Sequence, residues 1–254
     1  KPAAPSPYPM ELPPDRMRPM GSYRFPFDAR HVLDLVALAW LASFAHEFTH
    51  HASGAWVCGE VGRMSLGQFA NEADCAHWPW TTAAGPALSY ALMWIGLAWV
   101  QVAMRNGRDP WWGFALVIAN KPFLRLFTAA MGGGDEGVLW DLVSPHFGRW
   151  LATATVIALS LPPLIICWRA LAPRQRGRMF AAAFLLPMLP LLPVPFVDRA
   201  IYGAWIAGTQ RVPAFFGVPW SVWAVEAGVT VVLALACGLA ARRTRATAAL
   251  ATTR

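Results

Sequence analysis

HVLDLVALAWLASFAHEFTHHA, residues 31–52, is an apolar run with a His-Glu-x-x-His cluster near its end. It has the length a helix needs to cross a bilayer, roughly 20 mostly apolar residues. Five further stretches fit the same measure, at about 83–104, 111–131, 150–171, 179–197 and 218–241. The expected fold is therefore all-α, a polytopic bundle of about six transmembrane helices. The fifth stretch contains Pro187, Pro190, Pro193 and Pro195, which must break or kink it. Composition agrees with the membrane class. Only 14% of the 254 residues are charged, against about 25% in a soluble domain.

The organisation reads as a Pro-rich tail over 1–30, a membrane domain over 31–241 and a basic tail over 242–254. The first tail is expected to be extended and poorly packed. It lacks an apolar run, so no cleavable signal is expected within it. The net charge of +7 does not point to nucleic acid, because the cations sit between apolar runs rather than on one basic face. Fifteen Lys and Arg fall in the N-terminal tail, the 105–110 loop, the region 169–178 and the C-terminal tail. The alternate loops hold four: Arg63, Arg149, Arg199 and Arg211. The positive-inside rule then puts both termini in the cytoplasm, with a plasma or inner membrane as the expected location. Loops 53–82, 132–149 and 198–217 face outward. Cys58 and Cys75 share one of these loops and can form a disulfide there, worth about 3 kcal/mol in the chain-entropy model. None of the four cysteines forms a CxxC pair.

His46 and His50 are four residues apart, so on a helix both imidazoles leave one face and can grip one metal ion, zinc being expected. Glu47 stands beside them, placed to take a proton from an activated water. Such polar groups at the end of an apolar helix are costly unless they serve a purpose. A third ligand is needed, and two candidates exist. Asp135 follows three glycines, Gly132-Gly133-Gly134, that allow a close backbone turn. Glu72, in Asn71-Glu72-Ala73-Asp74, follows His50 at a spacing similar to that of soluble gluzincins. Arg125 lies roughly 21 Å along its span and His46 roughly 22 Å along the first, so both reach similar depth. Arg125 can pair with Asp135 or Glu136, or stabilise a developing oxyanion. Asn120 falls under the same argument. His51 points about 100° away from His50 and is not counted as a ligand. Glu226 lies near the outer end of the last span, where it can reach water, and His77 and His146 read as surface residues. Trp78, Trp80, Trp111 and Trp112 suit an interfacial belt.

His46-Glu47-Phe48-Thr49-His50, then Ala84-Gly85-Pro86-Ala87-Leu88, then the stretch from Asn120 to Asp135 together resemble the site-2 protease family of intramembrane zinc metalloproteases. The resemblance covers about residues 31–140. It implies a zinc held by His46, His50 and Asp135; together with the spacing and depth readings above, Glu47, Asn120 and Arg125 are the candidate catalytic residues. It also implies proteolysis of a membrane-associated protein or peptide. The chain departs from the family pattern in spreading Asn120, Pro122 and Asp135 over sixteen positions, in lacking a PDZ-like insertion, and in placing the His motif at the outer end of its helix. Two other readings are weaker. Membrane di-iron desaturases need about eight histidines, and this chain has six. A non-catalytic metal-binding or transport-assisting protein has no need of Glu47 beside the ligands.

Overall fold

The computed structural model describes residues 19–70 and 75–252, the side chains of Pro190 and of residues 240–252 excepted. The molecule is mostly helical. The first helix, α1 (Ala29–Cys58), begins where the Asp28 side chain accepts from the His31 amide, a standard N-cap contact. It ends at Gly59 in the left-handed conformation. A two-stranded antiparallel hairpin follows, β1 (Arg63–Met64) and β2 (Phe69–Ala70). Next come α2 (Trp78–Arg105), α3 (Trp111–Ala119), α4 (Pro122–Ala130), α5 (Gly134–Val143), α6 (Gly148–Ala170) and α7 (Arg176–Leu185). The short helices α8 (Val194–Val197) and α9 (Gly203–Ile206) lead to a second hairpin, β3 (Ala214–Phe215) and β4 (Val218–Pro219). The last helix, α10 (Trp220–Thr252), closes the chain.

Among the described residues, four helical stretches are long and apolar enough to cross a membrane: Ala29–Cys58, Trp78–Arg105, Gly148–Ala170 and Trp220–Leu239. A fifth arises if Trp111–Ala130 and Gly134–Val143, bent by 46°, count as one broken span. This is what an integral membrane protein of the all-α class requires. Two of the six expected stretches differ from a simple helix. The third is broken between α3 and α4, where Lys121 adopts φ 55. Pro122 explains the break, since it has no N–H and bars the residue before it from the right-handed helical region. The fifth, 179–197, is not one helix. It consists of the end of α7, a 3₁₀ turn at Leu189–Leu191 and α8, as its prolines dictate.

The tail over 1–30 is only partly described, residues 1–18 lying outside the described part. Its last residues are packed, contrary to expectation: Tyr23 and Phe25 are buried against Trp111 and Phe114 in the main apolar core. Their backbone is tied to the far end of α6, with Tyr23 N donating to Ala170 O and Ala172 N donating to Tyr23 O. Tyr23 Oη also reaches Asp109. The pre-helical segment, the 105–110 loop and the region after α6 thus meet on one face of the bundle. On the opposite face, Arg63 donates to the Ile206 carbonyl and His51 Nε2 to the Phe216 carbonyl. Between the faces, α2 and α3 cross at Gly96 and Gly113, where a Cβ on either would come within 2.8 Å of the other's carbonyl. Small residues permit such close approach in membrane bundles.

Candidate metal centre

Three elements bring the ligand candidates together. α1 carries His46 and His50 on its buried face. The chain after α4 turns through Gly132 (φ 78) and Gly134 (φ 76), conformations that glycine adopts without strain. That reversal starts α5 with Asp135 in its first turn, aimed back at α1. His46 Nε2 lies 3.0 Å from Asp135 Oδ2 and 3.1 Å from His50 Nε2, and the third side of the triangle is 3.4 Å. Ligand atoms about 2.0–2.1 Å from a tetrahedral zinc ion stand about 3.3 Å from one another. The triangle fits such an ion. Among the described residues it is also the one cluster of His, Cys and acidic groups with this geometry. Glu72, the other candidate ligand, lies outside the described residues.

The surroundings orient each ligand. His50 Nδ1 is 2.7 Å from the Thr81 carbonyl, which can only accept. The proton is therefore on Nδ1, and Nε2 presents its lone pair to the triangle. Phe69 of β2 stacks on the other face of this ring, centroids 4.4 Å apart and nearly parallel. Asp198, just beyond α8, accepts from the Leu66 and Gly67 amides and so pins the hairpin that carries Phe69. Burial raises the Asp198 carboxyl above its ordinary value, against the opposing pull of those two amides. His46 Nδ1 is 3.0 Å from Ser89 Oγ and 2.8 Å from an Arg125 guanidinium nitrogen. The guanidinium can only donate, so with that contact intact Nε2 carries the proton and donates to Asp135. To bind an ion through Nε2, His46 must carry its proton on Nδ1, where Ser89 Oγ can accept it.

Arg125 is buried and fully engaged at its two terminal nitrogens. One donates to Glu136 at 2.8 Å, and the other donates to Ser89 at 2.9 Å and faces His46. Tyr90 Oη donates to the same Glu136 oxygen at 2.6 Å, and its ring lies under the guanidinium. The Arg125–Glu136 pairing is one of the expected alternatives. In this arrangement the guanidinium positions His46 and the first turn of α5. Asn120 caps the end of α3. Its amide nitrogen donates to the Leu116 carbonyl at the end of α3, and it makes no hydrogen bond to any residue of the triangle. Glu47 is half-buried beside His46 and has no hydrogen-bond partner among the described residues. His51 is buried away from the triangle on Phe216, as its angular position implies. Glu226 does not reach water: it is buried and accepts from Trp40 Nε1 at 2.7 Å, tying α10 to α1.

Thr81 and Ser89, unlike Gly85 of the Gly-Pro motif, had no reading in the sequence. Thr81, Gly85 and Ser89 follow at intervals of four on the buried face of α2, and this row of small and hydroxylic residues is the signal that could have found them. A Cβ on Gly85 would collide with the imidazole of His50, which is why the Gly85-Pro86 pair packs here. Lys121, at the break between α3 and α4, also lies close by. It holds its ammonium 2.8 Å from Ser43 Oγ, one helical turn before Glu47. Gly85→Val is expected to push His50 out of the triangle. Purified variant protein should retain little bound metal by elemental analysis, while Gly85→Ala, with one methyl group to accommodate, should lose less.

Cys58 and Cys75 are joined in a disulfide with their Cα atoms 5.4 Å apart, inside the range such bridges need. The bridge fixes the exit of α1 to the start of α2, the two helices that supply His50 and its carbonyl partner. Comparison with family models, with curated proteins and with solved structures gives no match for this chain.

Proposed function

We propose that the chain is a membrane-embedded, zinc-dependent peptidase that hydrolyses peptide bonds of a membrane-associated protein or peptide. The observation that carries this reading is the His46, His50 and Asp135 triangle with Glu47 on the same helix turn. Two imidazoles and one carboxylate leave a fourth position free on a tetrahedral ion, as hydrolytic zinc sites do. A zinc ion so held supplies Lewis acidity, which acidifies a water and polarises a carbonyl. The chain's own residues do the rest. Thr81 and Ser89 orient the imidazoles, and Arg125 with Glu136 sets the position of α5. Glu47, free of competing partners, takes the proton of the attacking water and returns it to the leaving amine.

The proposed orientation has both termini in the cytoplasm and the triangle near the outer end of α1. The arginine-rich segments gathered on one face and the disulfide on the other support it. A membrane-impermeant thiol reagent on intact cells is expected to label Cys58 and Cys75 only after reduction. Failure of both to label after reduction, while cysteines introduced in the 105–110 loop do label, would invert the orientation. The enzymatic reading is tested by chelation. Hydrolysis of a single-span membrane peptide by the detergent-purified protein should cease with 1,10-phenanthroline and return on adding zinc. Tight zinc binding with no hydrolysis of any such peptide would favour a metal-binding role without catalysis.

A further inference from the structure

On the face opposite the metal centre, the chain before α1 and the turn between α6 and α7 enclose an open cavity of about 670 Å³, lined by Arg24, Ala172, Pro173, Arg174, Gln175 and Arg178. Its construction is rigid. Tyr23 and Phe25 are buried, so in this extended segment Arg24 between them must face away from the core. The segment is locked to the far wall by the Ala172 N to Tyr23 O bond and by the Phe25 amide donating to Gln175 Oε1 at 2.5 Å. Three guanidinium groups thus share one cavity, and among the described residues none of them pairs with a carboxylate. Arginine forks match phosphate oxygens bidentately. Apolar side chains are also exposed at this end of the bundle: Phe180 and Phe184 lie one turn apart on α7, with Phe180 against Trp168 at the end of α6. A ligand that satisfies both surfaces carries a phosphate anion and hydrocarbon.

We infer that this cavity binds the phosphate headgroup of an anionic phospholipid, with its acyl chains on the apolar surface exposed at this end of the bundle. The site is independent of the peptidase reading. Its location at the ends of two helices, on the face where the positive charges gather, is where such headgroups lie in the proposed orientation. A free phosphate compound offers the same anionic chemistry without the chains, and the experiment separates the two. Native mass spectrometry of the detergent-purified full chain is run with phosphatidylglycerol, with phosphatidylcholine, and with phosphatidylglycerol plus inorganic phosphate. The wild type should retain phosphatidylglycerol about tenfold or more over phosphatidylcholine. The triple variant Arg24→Gln, Arg174→Gln, Arg178→Gln should lose that preference to within about twofold, with an unchanged unfolding temperature. A second triple variant, Arg105→Gln, Arg108→Gln, Arg169→Gln, removes equal charge from the same face and should keep it. Equal loss in both variants would mean general attraction to the basic face and would overturn the site. Retention of inorganic phosphate in place of the lipid would overturn the assignment to a membrane lipid.

Discussion

Glu47→Gln is expected to leave zinc content at the wild-type level while lowering peptide hydrolysis by about 10³-fold. The amide keeps the size of the carboxylate but cannot accept a proton. Because Glu47 has no hydrogen-bond partner among the described residues, the substitution breaks no hydrogen bond, so the unfolding temperature should move little. The pair of measurements, metal content and turnover on the same preparation, separates a proton-transfer role from a folding role. Wild-type turnover by the purified variant on a peptide that the parent cleaves would mean that Glu47 is not the base. Loss of metal together with activity would make it part of the metal shell instead.

Asp135→Ala is the second substitution with a large expected effect. Removing an outer-shell partner typically weakens metal binding by 10–100-fold, so removing a direct ligand should exceed about 100-fold. The variant should contain little zinc after dialysis, while Glu72→Ala should retain one ion per chain. Asp135→Ala also leaves two imidazole nitrogens 3.1 Å apart without the carboxylate that faces them both. Added zinc is therefore expected to restore stability to the wild type and not to the variant, as read by the shift in unfolding temperature on titration. Retention of zinc by Asp135→Ala and its loss from Glu72→Ala would transfer the third ligand to the outer loop.

The helical class, the His pair and the Cys58–Cys75 bridge were legible because each rests on local sequence: an apolar run of membrane length, a spacing of four, and two cysteines in one short loop. Asp135 was legible as a candidate because three glycines announce a chain reversal, but only the fold decides what the reversal aims at. What escaped depended on long-range contacts. Arg125 could be placed at the right depth by counting residues, yet its commitment to Glu136, Ser89 and His46 needed the packing of α2 against α4 and α5. Glu226 looked close enough to water by its distance from the end of its helix, and Trp40 on a helix 186 residues away in sequence takes its carboxylate instead. The break at Lys121 had a local cause in Pro122, but an apolar window averages over it. The proline-rich stretch after α7 likewise has the hydropathy of a span without the backbone for one. Tyr23 and Phe25, in a tail rich in proline, find partners only because the turn after α6 comes back to meet them.

Everything proposed for this site depends on a single divalent ion held by two imidazoles and a carboxylate within the bundle. X-ray absorption at the zinc edge of the purified full-length chain tests it most directly. One zinc per chain is expected, four-coordinate, with a first shell of nitrogen and oxygen only at about 2.0–2.1 Å and the multiple-scattering signature of two imidazoles. A sulfur shell near about 2.3 Å, a single imidazole, or no bound metal after purification in zinc-containing buffer would contradict it.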